Sequence, residues 1–317
     1  MNKITISIIG IFLLNILFCC SKTPSEQQSY GVSISAPKIW AIDSTYTKEQ
    51  IEWIKLNNGL SIDILLQNIS TSSTIDNLQY SCLSIISQLN KEEEELQNLM
   101  QKILQQDTNL KILTQLDTTS KDKLKINTQI NLPLLYEEAL KTNQKQFYDL
   151  EDNPVEKEFF TLTGIFKTNI SEEQTIVEIP LGNKEYSIVL IQPNTNKITN
   201  YLSLFREKTY IDCLEKLQER KIEVSFPNIE STKYEGELNL PQIIKDTLQE
   251  ELKTINILSE FNSTKPTEAT IKLINKTMED KIISSNYEQE IIFNKPFLYI
   301  LKQRTTNLIL QQGIIVK

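Results

Sequence analysis

The sequence predicts an α+β domain, with helices concentrated in the N-terminal half and strands in the C-terminal half. Two patterns carry that expectation. From Glu92 to Gln105 the apolar residues Leu96, Leu99, Met100, Ile103 and Leu104 recur at i, i+3, i+4, i+7 and i+8, one stripe of a helix. At the other end, Phe297–Leu301 is a continuous apolar run and Lys302–Asn307 is polar. Leu308–Leu310 and Ile314–Val316 then resume the run, the pattern of short strands buried on both faces. Pro296 heads the first of these strands, where its missing N–H does least harm.

The remaining elements follow in chain order. Lys3 and the nearly all-apolar Ile4–Phe18 are too short and too terminal for a comfortable membrane span, and read as an export signal over residues 1–19. Cys19-Cys20 after Ile16-Leu17-Phe18 is similar to a bacterial lipoprotein cleavage box. Cys20 is the preferred lipidated residue and Cys19 the alternative. Residues 20–40 are polar and suit a flexible tether, leaving 41–317 as one domain. Within it, Asn58–Leu66 reads as part of a first long helix. Ser72–Leu89 reads as an amphipathic helix carrying Ile75, Leu78, Cys82, Ile85, Ile86 and Leu89. The acidic run Glu92–Glu95 is read as a solvated helix start, favoured by the helix dipole.

Composition excludes whole classes of chemistry. The 317 residues include no histidine, which removes Ser-His-Asp and Cys-His catalysis and histidine-ligated metals. Seven glycines and no GxxxxGK or GxGxxG leave no phosphate-cradling loop. A net charge of −8 offers no basic stripe to nucleic acid. Beyond the signal only Cys82 and Cys213 remain, read as buried small hydrophobes or, alternatively, a disulfide. No catalytic residue, metal, cofactor or small-molecule substrate is expected.

The C-terminal run Phe293-Asn294-Lys295-Pro296-Phe297-Leu298, followed by a strand with the single Gly313 before Ile314-Ile315-Val316, resembles the C-terminal signature of the serpins. Val177–Pro193 is similar to that family's paired strands ending in a proline turn, and a helix with Leu202, Phe205, Tyr210, Cys213, Leu214 and Leu217 follows. Lys221–Pro227 resembles the family strand that ends in proline, and Leu252–Phe261 a helix end and turn. Asp122–Leu132 resembles a strand of the large sheet, and Leu134–Asp149 the helix and turn after it. The resemblance implies a reduced serpin-like fold, with a mixed large sheet and a smaller sheet holding the C-terminal strands.

The resemblance also implies inhibition of serine-type proteases: a long bait loop is cut, inserts into the sheet and drags the acylated protease with it. Two readings weigh against that in this chain. If Thr270–Thr277 is the strand leading into the loop, only 12 residues, Lys281–Ile292, separate Asp280 from Phe293. That stretch has no Glu-Gly-Thr hinge and no run of alanines. The passage from Leu150–Pro154 straight into Glu156–Phe160 also suggests that a helix and a central strand are missing. The expectation is a degenerate, lipid-anchored member that binds a protease or other protein partner without trapping it. A working suicide inhibitor and a purely structural lipoprotein are the alternatives. Ser284, Ser285, Asn286, Tyr287, Glu288, Gln289 and Glu290 form the candidate remnant of the bait loop. The expected location is a bacterial outer membrane or cell surface, reached by export.

Overall fold

Thr47 starts helix α1 (Lys48–Thr71) with a reciprocal cap. Its hydroxyl accepts the Gln50 N–H at 3.1 Å, and the Gln50 side chain accepts the Thr47 N–H at 3.3 Å. The helix outruns Asn58–Leu66 at both ends. Its apolar period is interrupted by Asn57 and Asn58, which are buried because their side chains bond the main chain of Ile309 and Asn307. The computed structural model describes residues 45–71, 76–106, 110–120, 123–131, 141–181, 185–195, 197–229, 232–241, 254–262 and 289–317.

The helix expected over Ser72–Leu89 is two elements. Strand β1 (Leu78–Tyr80) pairs antiparallel with the C-terminal strand, and helix α2 (Cys82–Leu89) begins only at Ser81. The Ser81 hydroxyl accepts the Ser84 N–H at 3.2 Å, and that cap fixes the start. Helix α3 (Glu94–Gln106) follows the expected stripe, with Leu96, Leu99 and Ile103 fully buried. Its first turn is not simply solvated. The Glu95 carboxylate accepts bonds from Thr47 Oγ1 and Gln50 Nε2, each at 3.1 Å, tying α3 to the start of α1.

The chain continues as β2 (Lys111–Ser120), β3 (Lys123–Asn131), β4 (Lys141–Tyr148), β5 (Pro154–Ile170), β6 (Gln174–Leu181) and β7 (Tyr186–Pro193). Two short helices follow, α4 (Ile198–Leu204) and α5 (Glu207–Glu215), broken where Phe205 turns extended. They bury Leu202, Phe205, Tyr210 and Cys213, as the helical spacing predicts. The last strands are β8 (Gln218–Pro227), β9 (Thr232–Asn239), β10 (Thr254–Asn262), β11 (Gln289–Ile292), β12 (Phe297–Gln303) and β13 (Ile309–Ile315).

These strands form two mixed sheets. The larger has nine strands in the order β1-β13-β12-β7-β6-β5-β8-β11, with β4 also paired to β5. The smaller has four, β2-β3-β10-β9. The C-terminal strands thus lie inside the larger sheet, not the smaller one. Their continuous apolar runs require cover on both faces, and every residue of β7, β12 and β13 is buried.

Gly313 is fixed by its neighbours. A Cβ there would come within 2.5 Å of the Leu78 carbonyl oxygen and 2.6 Å of the Tyr299 ring. The Tyr299 ring lies across the glycine so that its hydroxyl reaches Gln79 Oε1 on β1 at 2.6 Å. The same sheet holds a buried ion pair, Lys302 Nζ to Glu178 Oε1 at 2.9 Å. Ser187 Oγ supports it from the carboxylate side at 2.7 Å and Asn307 Oδ1 from the ammonium side at 2.8 Å.

Candidate functional site

The smaller sheet owes its centre to alternation. Ile126, Thr128 and Ile130 of β3 are buried and the residues between them are not, which is the period of a strand with one face on the core. Beside it, β10 runs parallel and in register from Asn256↔Lys125 to Asn262↔Asn131, so both strands end together. Sequence reading placed a helix end and turn at Leu252–Phe261. The alternation Ile255, Ile257, Ser259, Phe261 is that of a strand, and pairing on both edges fixes it.

Beneath this parallel pair lies a polar row. Thr114 of β2 is opposite Thr128, and Thr128 is opposite Ser259. Thr114 Oγ1 meets Ser84 Oγ of α2 at 3.2 Å, and Gln311 Nε2 of β13 donates to Ser259 Oγ at 3.0 Å. Among the described residues, the buried oxygens Asn127 Oδ1 and Gln311 Oε1 have no hydrogen-bond partner. At this one rung between β3 and β10 the short hydroxyl side chains bury little apolar area, while the rungs on either side pair Ile126 with Ile257 and Ile130 with Phe261. The seam was not singled out from sequence, because isolated Thr and Ser residues in strands carry no signal of their own.

The segment after β10 ends the smaller sheet and reaches β11 in the larger one. Because β10 ends at Asn262 and β11 begins at Gln289, 26 residues (263–288) lie between them. The count of 12 rested on Thr270–Thr277 as the preceding strand; those residues, like Ser284–Glu288, lie outside the described residues. Gln289 and Glu290 belong to β11, paired parallel with β8 and exposed to solvent. The central strand is present too. It is β3, seated against β10, and not a deletion near Leu150. A tight turn at Leu150–Asn153, with Asp149 Oδ1 accepting the Glu151 and Asn153 N–H groups at 2.9 Å, simply connects β4 to β5. The helix expected within Leu134–Asp149 is, from Lys141 on, strand β4.

The return end is anchored by the family-signature residues. Phe293 and Phe297 are fully buried with ring centroids 5.7 Å apart, Leu298 is buried beside them, and Pro296 directly precedes β12. Lys145 of β4 donates to Ser225 Oγ of β8 at 2.9 Å and lies 3.7 Å from Glu290 of β11. Ser225 Oγ in turn meets Thr161 Oγ1 of β5 at 2.8 Å.

Among the described residues the two thiols are held unreactive by burial. Cys82 and Cys213 are buried free thiols rather than a disulfide, and burial pushes the Cys82 thiol up to about 12. Among the described residues no three His, Cys, Asp or Glu side chains gather as a metal site, and no helix is long and apolar enough to cross a membrane. Cys19 and Cys20 lie outside the described residues.

Two mixed sheets, with a parallel pair at the centre of the smaller and a return strand in the larger, define an α+β fold. The family model described as serpin (serine protease inhibitor) matches residues 86–317, and the chain belongs to the serpin family. Serpins inhibit serine proteases and are not enzymes.

Solved structures with the same fold include native protease nexin-1 with heparin. At 12% identity it gives a TM-score of 0.58, covering 84% of this chain and 100% of that one. A serine protease inhibitor of Manduca sexta gives 0.57 at 12% identity, covering 82% and 98%. A tumour-suppressing serpin gives 0.58 at 12% identity, covering 83% and 99%. At this identity the likeness shows the fold alone. No curated protein sequence matches the chain.

Proposed function

We propose that this chain inhibits a serine-type protease by loop capture, and that it does so from a membrane to which Cys20, or Cys19, anchors it. The observation that carries the reading is the parallel β3–β10 pair, with residues 263–288 leaving its C-terminal end. A chain that leaves there and doubles back runs antiparallel to both neighbours, so it is able to bond both once they part. At about 3.3 Å per residue the 26 residues reach roughly 86 Å, ample for a bait loop and an inserted strand. The 26 residues between β10 and β11 and the parallel β3–β10 pair weigh against a short loop and a lost central strand, while the absent Glu-Gly-Thr hinge, the absent alanine run and the missing helix still favour the degenerate reading.

The sequence of the segment supports insertion. Thr267, Ala269, Ile271 and Leu273 alternate with Glu268, Thr270, Lys272 and Ile274, small or apolar positions against mainly polar ones. The test is incubation of Ser21–Lys317, which lacks the expected signal and both candidate lipidation cysteines, with a panel of serine proteases, followed by denaturing electrophoresis. A stable band of summed mass is expected. Ile271→Arg, which would place a charge on the inner face of the inserted strand, should convert the chain to a substrate cut without capture, whereas Lys272→Arg should still capture. Cleavage without any adduct across the panel overturns trapping and returns the chain to reversible binding. Anchoring is tested separately, by mass spectrometry of the mature N-terminus and loss of membrane fractionation in Cys20→Ala.

A further inference from the structure

Strand β11 is the first described element after residues 263–288, and its two ends are held very differently. At the C-terminal end Ile291 and Phe293 are buried, the Phe293 N–H bonds the Ser225 carbonyl at 2.8 Å, and the Asn294 carbonyl accepts the Tyr148 N–H at 2.8 Å. At the N-terminal end Gln289 and Glu290 are exposed and pair with Ile222 and Glu223 through the backbone alone. Among the described residues, the one side-chain tie at that end is Glu290 to Lys145. A pull entering through residue 288 loads this end first, because a strand at a sheet edge peels rung by rung.

An exposed ion pair ordinarily contributes little, since two long side chains must be ordered to make it. Here one partner is already placed. The Lys145 ammonium is held by Ser225 Oγ, itself fully buried and bonded to Thr161. One node therefore joins four strands: β4 through Lys145, β5 through Thr161, β8 through Ser225 and β11 through Glu290.

We infer that Lys145 is a positioning residue that fastens the leading end of β11, keeping the far side of the loop in the larger sheet when the near side is pulled or cut free. Its consequence for inhibition rests on the loop-capture reading: while the loop is uncut, a β11 that peels would release the loop's far end and present it less well to the protease.

The fastening is tested without inhibition. The chain is nicked within 263–288 by a metalloprotease, which forms no acyl-enzyme, and amide hydrogen exchange is followed at Glu290–Phe293. In the nicked parent these amides should stay slow. In Lys145→Met and Glu290→Gln they should exchange about three- to fivefold faster, the range of a single partly exposed ion pair, while β5 and β8 remain unchanged. Lys145→Arg, which keeps the charge and donors, should behave as the parent. Unchanged exchange in Lys145→Met overturns the inference, and so does equal acceleration across the whole sheet, which would mark a merely structural lysine. In the adduct assay the same Lys145→Met protein should yield a smaller trapped fraction. If even the parent traps nothing, loop capture fails while the exchange result still decides the role of Lys145.

Discussion

The two sheets bury different kinds of polar group, an ion pair with its supports in the larger and a row of short hydroxyls in the smaller. In the larger sheet the buried charged and phenolic groups are tied by side-chain bonds, Glu178 to Lys302, Lys302 to Asn307, Tyr299 to Gln79, and Gln303 to both Tyr46 and Thr306, while the Gln311 and Gln312 Oε1 atoms of β13 have no partner among the described residues. In the smaller sheet the row Thr114, Thr128, Ser259 is made of short hydroxyls, and the Asn127 oxygen beside it lacks a partner among the described residues. A fully satisfied buried network specifies one arrangement, whereas a loosely satisfied one is easily exchanged for another. The larger sheet is a frame, and the smaller holds the parallel pair that a new strand would have to part.

The frame is broken most severely at its ion pair. Lys302→Met leaves the Glu178 carboxylate buried without its ammonium and should cost about 3 kcal/mol or more in urea unfolding, with Glu178→Gln on top restoring much of the loss. Burial pushes Glu178 up, but Lys302, Ser187 and Arg304 together outweigh burial and leave its carboxyl below the usual value. A depressed folded pKa contributes stability that is present above the unfolded value near 4.5 and lost as pH falls through the folded one. The parent should therefore lose stability below about pH 4.5 more steeply than the Lys302→Met, Glu178→Gln double variant.

A glycine in each sheet sharpens the contrast at a smaller scale. At Gly313 an added Cβ meets the Leu78 carbonyl and the Tyr299 ring, main chain on one side and a fully buried ring on the other. Gly313→Ala should cost about 1–3 kcal/mol, with the Tyr299 bond to Gln79 lost as well. At Gly236 of β9 the added Cβ meets only the half-buried Tyr234 ring, at 2.6 Å from its hydroxyl. The obstacle is the outer part of a partly exposed side chain and not main chain, so Gly236→Ala should cost less than about 1 kcal/mol. Equal costs in thermal melts would erase the distinction between frame and yielding sheet.

The same contrast decides what was legible in the sequence. The frame announced itself because β7, β12 and β13 are buried on both faces, which leaves continuous runs such as Phe297–Leu301. The smaller sheet was misread at its most important strand. A likeness to a helix end at Leu252–Phe261 overrode the alternation of Ile255, Ile257 and Ser259, so β10, which ends at Asn262, was missed and Thr270–Thr277 was taken as the strand leading into the loop. Strand β4 was hidden for a different reason: Lys-Thr-Asn-Gln-Lys-Gln is a polar run with no apolar period, stabilised by pairing with β5. Lys302 was read as the start of a turn, since its partner Glu178 is far away in sequence and only the fold brings them together.

The smallest effect lies in the helices packed beside the frame, and it has the opposite sign to Glu178. Glu207 of α5 is raised chiefly by burial and further by the charge of Asp63 on α1, with Lys55 opposing. Asp63 is raised by burial, with Arg206 opposing. A carboxyl whose folded pKa lies above its unfolded value costs stability at neutral pH, and the cost disappears as pH falls through the folded pKa to the unfolded one. Both groups are partly exposed, so screening leaves a few tenths of a kcal/mol at stake. Glu207→Gln should raise the melting temperature slightly at pH 7 and leave it unchanged near pH 4, while Lys302→Met lowers it at both. A Glu207→Gln gain that persists at pH 4 would mean that packing against Gly59, not charge, sets the effect, and the acid limb of unfolding would then belong to the frame alone.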